Sequence, residues 1–296
     1  MRKEEAIPLD ELYRTYRPYL FWIAYRMLGS AADAEDLVQD VFVALQSVET
    51  AAIDNLKAYL AKMVTNRCLN LLKSARRQRE VYVGPWLPEP LVKAEPSPHA
   101  AVERDESLSY AYMVMLERLR PLERVRLTLR EALDYDYAEI ADLTGITEVY
   151  CRKLVSRARQ KARLSGNDSA MGDIWTSGRE KVQRFLSAFS TGNTEELSAL
   201  LSEDAVMYTD GGGKVRSAIR PILGRLRVLV FLSALLTRGW FERPARVVAV
   251  NGAPGLLFMD ERGVKAVVSF QWETDKGRIR NIYAVMNPDK LTSVDL

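Results

Sequence analysis

Residues able to do acid–base or metal chemistry are sparse in this sequence, whereas residues able to hold a polyanion are concentrated. The single histidine, His99, sits in a proline-rich stretch without a partner. Two cysteines, Cys68 and Cys151, fall in what read as separate helical units, and supply neither a disulfide framework nor a metal-ligand cluster. Asp204, Asp210 and Asp260 are the acids that could serve as a general acid or base in the C-terminal part. Each stands at a strand end or turn, the ordinary place for a solvated aspartate. No catalytic residue, metal or cofactor is expected.

The cationic chemistry lies between Tyr137 and Arg163. Ala138, Ile140, Ala141 and Leu143 give a first helix a small apolar inner face; Gly145 supplies a turn and Ile146 plugs the junction. Thr147 is placed to cap a second helix, in which Val149, Leu154, Val155 and Ala158 pack inward. Arg152, Lys153, Ser156, Arg157, Arg159, Lys161 and Arg163 remain outside. That is a helix-turn-helix, whose second helix fits the DNA major groove. Tyr150, Arg152, Lys153 and Ser156 are expected near bases, and Arg157, Arg159 and Lys161 on phosphates. The competing reading is a solvated basic helix in an ordinary bundle.

Net charge is only +3, so the distribution of charge carries the information. Residues 62–79 hold Lys62, Arg67, Lys73, Arg76, Arg77 and Arg79 with no acid, and residues 31–54 hold Asp33, Glu35, Asp36, Asp40, Glu49 and Asp54 with no base. Such patches imply two surfaces with different partners.

The elements that must carry these residues can be read from periodicity. Helical spacing joins Leu12, Tyr16, Tyr19, Leu20, Ile23, Ala24 and Met27, and then, beyond the break at Gly29–Asp33, Ala34, Leu37, Val38, Val41, Phe42 and Leu45. Another helix follows Ala58, Leu60, Ala61, Val64, Cys68, Leu69 and Leu72. Residues 81–105 carry the prolines of a linker without regular structure. Leu116, Leu119, Leu122, Val125 and Leu127 make a compact helical unit that ends in the helix-turn-helix. Beyond 170 the pattern changes: helices at 174–190 and 194–201 precede β-like runs Ala205–Thr209, Arg246–Val250, Leu256–Met259, Val264–Trp272 and Ile279–Val285. The expected domains are 1–82, a linker 83–105, 106–165 and 170–296, the last an α+β domain with a mainly antiparallel sheet. Arg225 and Arg227 interrupt the nearest candidate for a membrane span, Ile219–Leu236, so no membrane span and a cytoplasmic location are expected.

The strings AYRMLGSAADAEDLVQDVFVAL and NLKAYLAKMVTNRCLNLLKSARRQRE resemble region 2 of bacterial sigma factors of the extracytoplasmic-function (group IV) class. LRPLERVRLTLREALDYDYAEIADLTGI with the basic helix after it is similar to region 4. VYVGPWLPEP, DGGGK (Asp210 to Lys214) and NPDKL (Asn287 to Leu291) look like the SigJ-like subgroup, which carries a fused SnoaL-like domain, an α+β cone whose curved antiparallel sheet and helices close a conical pocket. Thr147 to Tyr150 departs from the family's small-residue run. The resemblance implies a transcription initiation factor that binds core RNA polymerase and promoter DNA. It places Asp33, Asp36, Gln39 and Asp40 on the β′ clamp helices, implies contact with the β subunit, and sets Asn66 against an unstacked minus-ten base. Lys62, Arg67, Asn70, Lys73, Arg76 and Arg77 would hold the nearby phosphates. The recognition helix would read the minus-thirty-five element.

In that setting Trp86, between Pro85 and Pro88, either docks on another domain of this chain or caps the region 2 core. Asp210, Gly211, Gly212, Gly213 and Lys214 either contact region 2 or the Trp86 linker, and so help fix the two promoter-reading domains, or form a plain hairpin turn. Asn287, Pro288 and Asp289 would close over the same interface. By resemblance the C-terminal domain stands in for a separate anti-sigma protein. Trp175, Phe185, Phe189, Tyr208, Phe231, Trp240, Phe241, Phe258, Phe270, Trp272 and Tyr283 could line a cavity there, with room for an unidentified small ligand. The alternatives are a ligand-controlled helix-turn-helix regulator that ignores core polymerase, and a cyclase- or isomerase-like enzyme tethered to DNA.

Overall fold

The structure is a computed structural model. It describes residues 8–50, 53–80, 82–94, 109–163, 174–237, 239, 244–273 and 276–294, with the backbone alone at 73–80, 132, 161–163, 174 and 176. His99, Trp240 and Phe241 lie outside the described residues. The chain divides into two compact units: Met1–Glu80 with Met115–Leu164, and Val81–Val114 with Ser165–Leu296.

In the first unit, α1 (Leu9–Leu28) stops at Gly29, whose left-handed conformation returns its N–H to the Tyr25 carbonyl. Ser30 then caps α2 (Ala31–Leu45) by accepting from the Asp33 N–H. The apolar faces of both close on α3 (Leu56–Glu80), burying Leu20, Ile23 and Met27 against Val38, Phe42, Leu60 and Val64. The boundary between units falls inside α4 (Tyr110–Glu117). Next, α5 (Pro121–Ala132) packs on α1 and α3, with Arg124 through Leu129 all buried. A buried arginine needs partners. Arg124 Nε donates to the Arg26 carbonyl at 2.7 Å, and its guanidinium pairs with Glu117. Leu122, expected inside, is 42% exposed, because the apolar side of α5 runs through Val125 and Leu129. Cys68 and Cys151 are buried, free thiols, and burial pushes the Cys68 thiol up against the opposing pull of Arg124.

In the second unit, α8 (Ile174–Ser190), α9 (Thr194–Leu200) and α10 (Arg225–Leu236) accompany a seven-stranded sheet, ordered β1-β4-β5-β6-β7-β2-β3. The strands are β1 (Val92–Lys93), β2 (Leu201–Asp210), β3 (Ile222–Leu223), β4 (Ala245–Val250), β5 (Ala253–Asp260), β6 (Gly263–Trp272) and β7 (Ile279–Val285). Neighbours are antiparallel except β2 and β7, which run parallel, so the sheet is mixed rather than antiparallel throughout.

Strand alternation gives the sheet two buried faces. Met207, Phe258, Val268, Ile282 and Ala284 face the helices. Val250, Leu257, Val267, Tyr283 and Val285 face the other way, where Leu87, Tyr110, Val114, Leu291 and Val294 cover them. The proline-rich segment, expected to lack regular structure, therefore supplies edge strand β1, which pairs with β4 through Val92 and Val250. It belongs to the C-terminal unit rather than forming a tether.

Candidate nucleic-acid interface and docked linker

The helix-turn-helix begins with reciprocal capping. Asp136 accepts from the Glu139 N–H at 2.7 Å, and Glu139 accepts from the Asp136 N–H at 2.8 Å, which starts α6 (Tyr137–Thr144). Gly145 ends it at φ +66, a left-handed turn that glycine adopts without a Cβ penalty, and the Ile146 N–H reaches the Ala141 carbonyl. The Thr147 hydroxyl accepts a long 3.4 Å bond from the Tyr150 N–H at the start of α7 (Glu148–Arg163).

Two inward assignments are corrected. Val149 is 80% exposed, and Ala138 is exposed as well. The buried stripe of α7 is Cys151, Leu154, Val155 and Ala158, spaced i, i+3, i+4, i+7, and Val149 lies off it. In α6, Ile140 and Ala141 are the buried pair.

Tyr150, Arg152, Lys153, Ser156 and Arg157 stand exposed on α7, and Arg159 is half-buried. Their electrostatic states differ. Arg152 Nε meets Glu148 Oε1 at 3.1 Å, and its guanidinium lies 5.2 Å from the Tyr137 ring centre. Arg159 Nε meets Glu131 Oε1 at 2.7 Å. Hydrogen bonds to these carboxylates raise both guanidinium pKa values. Lys153 and Arg157 have no ion pair among the described residues. The Lys161 side chain lies outside the described residues.

On α3, Lys62, Asn66 and Asn70 are exposed and Arg67 is half-buried. Lys62 Nζ is 3.9 Å from Asp142 of α6, an open pair worth little. The side chains of Lys73, Arg76 and Arg77 lie outside the described residues. On α2, Asp33, Asp36, Gln39 and Asp40 all face solvent, opposite the buried Ala34, Leu37, Val38 and Val41. The 64% exposed Val43 continues their stripe, three residues past Asp40. Sequence reading passed over it, although an apolar residue off the buried periodicity was visible there.

The linker side chains and the two C-terminal motifs meet in one network. Asp210 is fully buried at the end of β2. Its carboxylate accepts from the Tyr82 hydroxyl, from the Leu87 N–H at 2.9 Å, from the Gly212 N–H at 3.1 Å and from Lys290 Nζ at 2.7 Å. Lys290 also donates to the Leu87 carbonyl and sits 3.8 Å from the centre of the Trp86 ring, a cation–π contact. Asn287 Nδ2 donates to the Tyr82 hydroxyl at 2.9 Å. Pro288 opens the short 3₁₀ turn Pro288–Lys290 that presents this lysine. Lys214 and Asp289 close the outside at 2.6 Å. Gly212, at φ +61, lies so near Asn287 that a Cβ would sit 2.4 Å from Nδ2. Gly213 backs onto Val83 of the linker, and Gly211 turns the chain through its carbonyl, which accepts from Lys214 and Val215. Glu89 accepts from Ser293 at 2.8 Å, and Asn251 bonds Leu91.

Asp210 is thus a buried acceptor rather than a solvated turn residue. Asp204 is exposed, and Asp260 pairs with Lys265 at 3.2 Å. Tyr82, Leu87 and Lys290 were missed as participants. Lys290 lies inside a quoted motif, yet nothing local distinguishes a buried lysine from a solvated one. Phe185, Phe189, Phe231 and Phe258 line a cavity on the helix-covered face of the sheet. Tyr208 and Tyr283 stack together on the other side, while Phe270 lies in the core with Trp272 packed against it, and neither is among the lining residues. Trp175 is half-buried and not among the lining residues. Among the described residues, no cluster of His, Cys, Asp or Glu could hold a metal, and no helix is long and apolar enough to cross a membrane.

Residues 12–78 match Sigma-70 region 2, and residues 109–161 match Sigma-70 region 4. The chain is 34% identical over 294 residues to the ECF RNA polymerase sigma factor SigJ of Mycobacterium tuberculosis, covering 96% of this chain and 93% of that protein. It is 29% identical to a probable ECF sigma factor SigI of the same organism, covering 96% and 95%. The crystal structure of M. tuberculosis SigJ aligns with a TM-score of 0.77 at 30% identity, over 96% of this chain and 98% of that one. Family matches over both helical segments and a relative similar along almost its whole length lead to one conclusion: the chain belongs to the extracytoplasmic-function RNA polymerase sigma factors.

Proposed function

We propose that this sigma factor grips core polymerase through the α2 stripe, reads promoters through α3 and α7, and is modulated by its own C-terminal unit through the docked linker. The observation that carries the reading is the buried Asp210–Lys290 pair, which joins the linker to both C-terminal motifs. Residues 82–94 lie in sequence between the two promoter-reading segments, so docking them shortens the length of chain over which those segments can separate.

Asp33, Asp36, Gln39 and Asp40 form an exposed acidic stripe that Val43 extends with an apolar side chain, which suits a basic helical partner such as the β′ clamp helices. The family resemblance supports a contact with the β subunit as well. Asn66 offers an amide for an unstacked minus-ten base, with Lys62, Arg67 and Asn70 beside it and Lys73, Arg76 and Arg77 farther along the helix. Tyr150, Arg152, Lys153 and Ser156 are assigned to bases of the minus-thirty-five element, and Arg157, Arg159 and Lys161 to its phosphates. The C-terminal unit is read as a SnoaL-like domain whose cavity takes a small ligand rather than performing turnover, since none of Asp204, Asp210 and Asp260 lines that cavity. The working location is the cytoplasm.

A regulator that ignores core polymerase would leave the α2 stripe without a use. The experiment is capture of core polymerase by the full chain, compared with an Asp36→Lys, Asp40→Lys variant. Loss of capture in the variant alone supports the reading. Equal capture removes α2 from the polymerase interface.

A further inference from the structure

The cavity in the C-terminal unit encloses about 520 Å³, within the usual range for small-molecule sites. Its wall is built by four phenylalanines, Phe185, Phe189, Phe231 and Phe258, together with aliphatic side chains of the sheet and α10. Among the described lining residues, Thr209, Arg216 and Ser217 are the polar ones. The Thr209 hydroxyl is already committed: it accepts from the Ala218 N–H at 2.9 Å and donates to the Ala218 carbonyl at 3.2 Å. Arg216 is the one charged residue among the described lining residues; it is exposed and has no ion pair among the described residues. Water held in such a space wants two to four polar partners, and this wall offers few. An apolar guest loses nothing there and meets aromatic faces.

We propose that this cavity binds an apolar small molecule bearing a single anionic group, its body among the phenylalanines and its anion at Arg216. The same wall is continuous with the linker lock. Thr209 precedes Asp210, Met286 precedes Asn287, and Val215 to Ala218 follow Lys214. A guest that braces Thr209, Met286 and the Val215–Ala218 loop therefore steadies the groups that hold the linker. This second step rests on the proposed role of the lock; the binding step does not.

The test uses the full chain and two fluorescent probes of similar shape, anionic 1-anilinonaphthalene-8-sulfonate and neutral N-phenyl-1-naphthylamine. Both are expected to bind one saturable site. Arg216→Gln should weaken the anionic probe about tenfold, the scale of a lost charge-assisted contact, and leave the neutral probe within about twofold. Ala284→Phe fills the space and should abolish both; Ala266→Leu is the gentler filling if that variant does not fold. Binding that survives both fillings belongs to the exposed apolar side chains Leu223, Leu226 and Val230 and overturns the site. No saturable binding overturns it too, and equal loss of both probes in Arg216→Gln overturns the anionic class. With the anionic probe bound, exchange of the Leu87 amide should slow several-fold. Unchanged exchange with binding intact overturns the coupling alone. None of these readouts depends on transcription.

Discussion

Lys290 is a lysine with only 11% of its side chain exposed, held by a fully buried carboxylate. Removing one partner of such a pair leaves the other charged and unpaired, which costs about 3–5 kcal/mol. Asp210→Asn should therefore lower the unfolding free energy of the C-terminal unit by an amount of that order, read as a lower urea midpoint. Adding Lys290→Met should recover much of the loss, because the orphaned ammonium is gone. Tyr82 gives a pH test. Burial first, and then the Asp210 carboxylate, push its phenol above the ordinary value of about 10. The neutral phenol is the donor, and its folded pKa is the raised one. Its contribution is then complete below about pH 10 and fades only as pH rises through the folded value. Linker docking should be level between about pH 6 and 9 and loosen in stronger alkali, and Tyr82→Phe should lack that alkaline step when Leu87 amide exchange is followed. Of this site, Asp210, Trp86, the glycines and Asn287 to Asp289 were legible as motifs. Tyr82 and Lys290 were not, since the property that matters, burial against residues 128 or more and 80 positions away respectively, is tertiary.

Among the elements, charge separates surfaces that share one helical unit. Asp36→Lys with Asp40→Lys should cut core-polymerase capture at least tenfold while leaving the unfolding midpoint almost unchanged, because both side chains are exposed and surface changes fall within about 0.5 kcal/mol. On α7, Arg157→Ala should reduce the salt slope of promoter binding by about one. Arg159→Ala should reduce it by less, since Glu131 already neutralises that guanidinium. Most element positions follow from periodicity: β7 spans the alternating run Ile279–Val285, and β4 and β6 start one residue before theirs. β2 starts four residues earlier than its apolar run because Ser202 to Asp204 fall where its register with β7 shifts. β5 begins at Ala253, three residues before its apolar run, and Gly178 of α8 lets Pro254 pack close. Val149 misled because an apolar side chain at a helix start is read as core when the face is set by the four residues that follow.

At the scale of the whole molecule, the helical segments and the α+β C-terminal unit were legible because each has its own periodicity, and the resemblance of particular strings identified the helical segments as sigma regions. The allegiance of residues 81–114 was not. A segment rich in proline reads as a spacer, and what makes it part of the sheet is a two-residue edge strand, one buried leucine, N–H groups of Leu87 and Leu91 that donate to Asp210 and Asn251, and Glu89, which accepts from Ser293. The central claim is that this sigma factor initiates transcription under the control of that docked segment. The measurement that tests it most directly is in-vitro transcription with bacterial core polymerase from the promoter upstream of its own gene, comparing the full chain with Lys290→Met. The account predicts transcripts with one start site from both proteins and a yield that changes several-fold in the variant. Equal yields from both, with the variant's linker shown by amide exchange to be released, would contradict it.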